Sequence, residues 1–250
     1  MVDIATSGTE TDPVYDWQIS DRHYTLTSST FTKRQLFLSE QKLNVHGEIA
    51  QHPFNRERLE NERNALRYIA KNTNIPVPRV LDWSVVDGAG CLTVEALHGA
   101  LLINVIDDDN QDLSSDEKAT LRANSNSFIY DTVLPQLKRL RSRNLGQLSG
   151  VVFPPPRVNE FDERPSWQPR RAATERYVYC HNDLAQQNIV VDTKTLKVIS
   201  LIDWEYSGFF PPDFEKPFWL DPAQNGRIDQ EESARLVALL DEPGRFRCRR

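Results

Sequence analysis

Cysteine is scarce in this chain of 250 residues. Cys91, Cys180 and Cys248 are odd in number, far apart and without any C-x-x-C pair. That spacing indicates neither a thiolate zinc site nor a disulfide framework, and reduced thiols in a cytoplasmic protein are the plain reading. Long apolar runs are missing as well: none approaches the ~18 residues a membrane-crossing helix needs. The polar opening from Met1 to Pro13 has neither the basic nor the apolar region of a secretory signal. Positive charge is in deficit, with 30 Lys and Arg against 36 Asp and Glu for a net charge of −6. That balance argues against nucleic acid or an anionic membrane as partner, since both select basic faces. Glycine is absent between Gly8 and Gly47, and no G-x-G-x-x-G occurs. A glycine-rich phosphate loop of the usual kind is therefore excluded.

What remains is a folded chain with 39% apolar and 26% charged residues, long enough for one large or two small packed units. Residues 1–13 read as a disordered lead-in rich in Thr, Ser and Asp. Tyr24–Leu26 and Phe31–Leu38 have strand character. Arg56 to Asn72 predicts a helix, ended by Pro76 and Pro78. Val80–Val86 and Cys91–Leu97 flank Asp87, Gly88, Ala89 and Gly90, a hairpin pattern. His98 and Gly99 mark a lobe boundary. An acidic loop spans residues 107 to 113, and Ser114 with Glu117 forms a capping box that opens a long helix toward Arg143. Pro135 is expected to kink that helix. Residues 150–174, rich in Pro and Arg, read as an exposed loop. Tyr177 to Glu205 reads as strand, loop, strand, turn, strand, and Asp229 with Glu232 caps a final helix. Strands and one helix come first and mainly helices follow, which predicts an α+β fold with two lobes. The expected division is 1–13 lead-in, 14–97 first lobe and 98–250 second lobe.

The stretch that carries chemistry runs from His181 through Asn182, Asp183 and Asn188, then through an apolar hairpin to Ile202, Asp203, Trp204 and Glu205. Asp203 directly ends an apolar strand, where a carboxylate is costly unless a cation or donor meets it. Phosphoryl transfer asks for a base near the hydroxyl, oxygen ligands for Mg²⁺ and a cation to orient the nucleotide. Asp183 can be the base. Asn188 lies five residues on, so one compact loop can present both groups. Asp203 can return to the same place through the hairpin and offer a hard oxygen to Mg²⁺.

H-x-D-x-x-x-x-N, an apolar hairpin and I-D-W-E together resemble the Brenner motif and metal-binding aspartate of aminoglycoside phosphotransferases and choline kinases. The stretch from Ile202 to Phe209, followed by Pro211 to Glu215, resembles fungal members in particular. The resemblance covers roughly residues 20 to 225. It implies a two-lobed protein-kinase-like fold, with a small β-rich N-terminal lobe that binds nucleotide and a larger, mainly helical C-terminal lobe. It also implies Asp183 as catalytic base, Asn188 and Asp203 as Mg²⁺ ligands, and His181 as a structural residue of the catalytic loop.

A kinase-like first lobe needs a strand lysine paired with a helix glutamate. At ~100° per residue, Leu59, Glu62, Leu66 and Ile69 share one stripe, so Glu62 faces the core and wants a cation. Lys33 is the leading candidate, with Lys42 and Arg34 as rivals. Val94 to Gly99 resembles the segment linking the lobes, where the main-chain groups of Glu95 and Leu97 would hold adenine. Thr27 to Thr30 is left to supply amides to the phosphates in place of glycines.

The sequence thus predicts an ATP- and Mg²⁺-dependent phosphotransferase acting on a hydroxyl of a small molecule, a small-molecule kinase. A cationic acceptor would suit Asp107, Asp108 and Asp109, although a solvated loop is the plainer reading of that run. The alternative is a non-catalytic kinase-like protein that binds nucleotide or a protein partner. The complete Asp183, Asn188 and Asp203 set favours the enzyme, and the missing glycine loop favours the alternative.

Overall fold

The computed structural model describes residues 15–19, 21–41, 47, 49, 54–162, 164, 166–220 and 227–241. The expected lead-in over residues 1–13 and Lys42 lie outside them. The chain divides into two compact units, one from Met1–Arg56 with Val80–Ala96, the other from Glu57–Arg79 with Leu97–Arg250.

The first unit is one antiparallel sheet. Its strands are β1 (Tyr15–Gln18), β2 (Arg22–Leu26), β3 (Thr30–Gln35), β4 (Val80–Val86) and β5 (Ala89–Glu95), in the order β1-β2-β3-β5-β4. The β4–β5 hairpin closes through Asp87 and Gly88, at φ 49° and 81°. Both values are left-handed, which suits a two-residue turn to the right-handed twist of its strands. Trp17, Tyr24 and Phe31 stack across β1, β2 and β3, with ring centroids 5.2 and 5.8 Å apart. Cross-strand aromatic packing of this kind holds strands whose apolar alternation is weak.

The second unit carries most of α1 (Asn55–Asn72) together with β6 (Ala100–Leu101), α2 (Leu102–Ile106), α3 (Ser115–Ser127), α4 (Leu134–Arg139), β7 (Arg141–Ser142), α5 (Pro156–Asn159), β8 (Tyr177–Cys180), β9 (Ile189–Asp192), β10 (Lys197–Leu201), β11 (Gly208–Phe210) and α6 (Gln230–Asp241). Two small sheets, β10-β9-β6 and β11-β8-β7, sit among these helices. The expectation of a mainly helical unit is corrected accordingly: it is mixed, with few long helices among the described residues. The apolar stripe of α1 buries Leu59, Ala65, Leu66 and Ile69. The capping box forms as the sequence predicts: the Glu117 amide donates to Ser114 Oγ at 3.3 Å, and the Ser114 amide donates to Glu117 Oε2 at 2.8 Å.

Pro135 does not simply kink one continuous helix. A π-helical turn over Phe128–Val133 separates α3 from α4, and the Leu134 amide reaches back to Ile129 O. The wider turn accommodates a proline ring that would otherwise meet the carbonyl four residues earlier. The segment 150–174 is also corrected from a wholly exposed loop. Val152, Phe153, Arg157, Val158 and Trp167 are buried. Scattered apolar residues without periodicity hid that burial in the sequence.

Gly99 precedes β6 where its chain crosses β9 and β10. A Cβ there would lie 2.7 Å from Val191 O and 2.6 Å from Ile199 Cδ1. The oxygen belongs to paired backbone and cannot withdraw. Gly99→Ala is therefore expected to cost ~1–3 kcal/mol. A thermal melt reads this as a midpoint several degrees lower; an unchanged midpoint would show that the crossing yields freely.

Candidate active site

The loop after β8 leaves the sheet at His181, and the turn after β10 leaves at Ile202. Backbone and side chains join the two. Ile202 N donates to Asn188 O at 3.0 Å, the His181 ring meets Ile202 O through Nε2 at 3.0 Å, and Asn182 Nδ2 donates to Tyr206 O at 2.8 Å. The His181 ring also lies 4.3 Å from that of Trp204, which is fully buried. Asn182 and Asp203 adopt left-handed φ values of 69° and 63°. A residue other than glycine holds that conformation only where its surroundings over-determine it, and such positions cluster at functional sites.

Asn188 turns its amide inward. Its Nδ2 donates to Asp183 Oδ2 and to Asp183 O, both at 2.8 Å. The five-residue spacing therefore brings this pair together as the sequence predicts, and it leaves the Asn188 side-chain oxygen for another partner. Asp203 joins a second cluster. Carboxylate oxygens of Glu62, Asp203 and Glu205 lie within 4.8 Å of one another. Glu62, expected as the partner of a strand lysine, lies in this acidic cluster, supplied by the buried stripe of α1. Glu205 is a site residue that sequence reading left without a role, although it closes I-D-W-E. Arg58 Nη2 meets Glu205 Oε1 at 2.5 Å. Asn61, also missed and fully buried, donates through Nδ2 to Glu205 O at 2.9 Å and Ser207 O at 2.8 Å. Its position on the buried face of the helix was the available signal.

The first unit holds other predicted residues. Lys33 sits mid-strand in β3, opposite Leu92 and Tyr24. Arg34, a rival for Glu62, instead grips Glu40 with two nitrogens at 2.7 and 2.9 Å. Glu95 ends β5 opposite Thr30, and Leu97 begins the second unit's chain beyond it. The turn from Thr27 to Thr30 is folded on itself. Thr27 Oγ1 accepts from the amides of Ser29 at 3.2 Å and Thr30 at 2.9 Å, while the Thr27 amide donates to Thr30 O. Those three amides are therefore occupied.

Electrostatics follow from enclosure. Burial pushes Asp183 up to about 6; nearby Asp203 adds to this, and Arg157 opposes it. Burial pushes His181 down to about 4, so it is neutral, and its Nδ1 accepts from the Asp183 amide at 3.3 Å. Glu215 Oε2 accepts from the His181 amide at 2.5 Å, and burial raises this carboxyl to about 7. The folded protein thus holds a proton on Glu215 that the unfolded chain releases at lower pH. The stabilising effect is complete below the ordinary carboxylate range and declines as pH rises through about 7. Glu215→Gln should remove that decline. Urea unfolding at pH 5 and pH 8 should show the variant gaining ~1–3 kcal/mol on the parent between the two. Parallel pH profiles would show that Glu215 stays ionised throughout.

Known proteins share the fold and the family. The model of the phosphotransferase enzyme family matches residues 14–215. A GDP complex of a variant aminoglycoside 2'-phosphotransferase-IIIa superposes with a TM-score of 0.51 at 12% identity, covering 94% of this chain and 83% of that one. The aminoglycoside phosphotransferase APH(3'')-Id from Streptomyces rimosus gives a TM-score of 0.48 at 18% identity, with 91% of each chain covered. Its complex with ADP and streptomycin gives 0.47 at 18% identity, covering 88% of this chain and 89% of that one. No curated protein sequence matches the chain significantly. The fold is that of the aminoglycoside phosphotransferases, and the family match spans both the first sheet and the joined loops around Asp183 and Asp203: the chain belongs to the phosphotransferase enzyme family.

Proposed function

We propose that this protein transfers the γ-phosphoryl group of ATP to a hydroxyl of a small molecule, with Asp183 as the base. The observation that carries the reading is the contact between Asn188 and Asp183 in a loop that is itself joined to the Asp203 turn. A cytoplasmic location belongs to the same proposal and rests on the cysteine usage alone.

The donor set suits Mg²⁺. Asp203, the free oxygen of Asn188 and the neighbouring carboxylates Glu62 and Glu205 are all hard oxygens. Asn188 and Asp203 are the proposed ligands, and Glu62 and Glu205 support them. Bound there, Mg²⁺ would neutralise charge on the β- and γ-phosphates. The chain's own groups do the rest. Asp183 accepts a hydrogen bond from the acceptor hydroxyl and takes its proton late, because the transition state is loose. Asn188 orients the Asp183 carboxylate through its amide. His181, neutral, locks the loop to Ile202. Roles at the nucleotide for Lys33, for Glu62 as its partner and for the main chain of Glu95 and Leu97 rest on the family resemblance.

One observation favours the alternative, a kinase-like protein that binds nucleotide or a partner without turnover. The amides of Thr27, Ser29 and Thr30 are spent within their own turn, so the usual phosphate loop has no simple replacement. Radiolabelled ATP offered with a panel of amino alcohols and polyols separates the two. Label transfer to an acceptor supports the enzyme; tight nucleotide binding with no transfer to any acceptor supports the binder.

Asp183→Asn should lower kcat by ~10²–10⁴ while Mg²⁺–ATP affinity changes little. Asp203→Ala should lose Mg²⁺-dependent affinity as well as turnover. Isothermal titration beside turnover assays reads both, and a comparable affinity loss in Asp183→Asn would reverse the two roles.

The acceptor reading extends to the acidic loop. Lys118 Nζ pins it by donating to Asp107 O and Asn110 O, each at 2.6 Å. Asp107, Asp108 and Asp109 border a pocket of about 400 Å³ that Gln186 and Trp219 also line. Gln186 lies three residues after Asp183 in the same loop. Negative charge beside apolar surface suits a cationic acceptor. Changing the three aspartates together to asparagine should raise KM for such an acceptor at low salt, where charge effects are largest. An unaltered KM would remove this pocket from acceptor binding.

A further inference from the structure

Arg157 has no role in the chemistry above, yet it is almost wholly buried, at 5% exposure, behind the catalytic loop. It comes from α5, within the segment whose sequence reads as an exposed loop. Its Nη1 donates to Asn182 O and its Nη2 to Phe214 O at 3.1 Å. The guanidinium also lies 4.7 Å from the centre of the Phe218 ring. Ser233 of α6 anchors the next residue by donating to Val158 O at 3.2 Å. A buried arginine is expensive to hold unless its donors and charge are met.

The carbonyl it grips matters most. Asn182 O belongs to the peptide that leads into Asp183, and Asn182 itself is left-handed at φ 69°. On the other side of the loop, Glu215 takes the His181 amide at 2.5 Å. Glu215 follows Phe214, whose carbonyl Arg157 also holds. The peptide leading into His181 and the peptide leading into Asp183 are thus tied, one by its amide and one by its carbonyl, to the same short stretch after β11 and to α5.

We infer that Arg157 is a positioning residue for the transfer reaction, one whose guanidinium fork fixes the Asn182–Asp183 peptide and thereby aims the Asp183 carboxylate. This rests on the reading of Asp183 as base. Without the fork, a buried carbonyl loses its donor and the left-handed residue loses the contact that holds it. A lysine can reach one carbonyl or the other, but it has no planar fork to hold both. The positive charge of Arg157 also acts on Asp183, opposing the upward push of burial on that carboxyl.

Arg157→Met and Arg157→Lys test this in the full chain. The probes are ADP binding by calorimetry, the intrinsic hydrolysis of Mg²⁺–ATP with water as acceptor, and amide hydrogen exchange over residues 178–188. The expected result is turnover lower by ~10- to 100-fold in Arg157→Met, since small misplacements of a reacting group have effects of that size. Arg157→Lys should lie between it and the parent. ADP affinity should hold in both, and exchange should quicken in the 178–188 peptide alone. Unchanged turnover and exchange in the folded variants would overturn the inference. So would ADP affinity falling in parallel with faster exchange throughout, because that pattern marks a general prop of the fold. If Arg157→Met does not fold, Arg157→Lys carries the same readouts. A parent protein without any turnover would count against the phosphotransferase reading itself, and the exchange experiment would still decide whether Arg157 holds the loop.

Discussion

Everything proposed for this protein depends on the joining of two loops. The segment from His181 to Asn188 and the turn from Leu201 to Ser207 have little regular structure of their own, yet they share a set of buried hydrogen bonds and the packing of His181 on Trp204. Leu201 N reaches further, donating to Pro76 O at 2.9 Å, so the segment that follows α1 is tied to the same turn. Buried polar groups are costly unless paired, and paired ones specify a single arrangement. Asp183 and Asp203 therefore have fixed surroundings before any substrate arrives.

The same joining concentrates negative charge. Glu62, Asp203 and Glu205 converge within one cluster, and Asp183 stands in the adjoining loop. Like charges this close destabilise one another unless cations intervene. Arg58 meets Glu205 directly, while Arg157 lies behind Asp183 and draws its carboxyl down against burial. The Mg²⁺ proposed for this cluster would add positive charge where these carboxylates converge. Burial raises Asp183 and Glu215 and lowers His181, three shifts with one cause: a folded interior disfavours the charged form of each.

How much of this was legible depended on range. The α1 helix, the β4–β5 hairpin, the Ser114 capping box and the Asp183–Asn188 pair follow from residues within one turn or hairpin of each other. Their signals are spacing and periodicity, which a sequence displays directly. The π-helical turn before Pro135 was only half legible: the proline announces a disturbance, but neighbouring packing decides whether the helix bends or widens. The occupied amides around Thr27 were not legible for the opposite reason. The Thr27 hydroxyl competes for the local amides, a short-range effect that the residue type permits without requiring.

The sequence by itself determined which groups are available: a carboxylate and an amide five residues apart, a second carboxylate beyond an apolar hairpin, and no glycine-rich loop. Only the tertiary structure decided which distant residues serve them. Asn61 and Glu62 reach the Glu205 turn because one face of α1 is buried against it, and Arg157 reaches Asn182 O from a segment that has no periodicity to betray it. Such partners are chosen by where a buried carbonyl or carboxylate needs a donor. That need exists only once the chain has folded and water has been excluded.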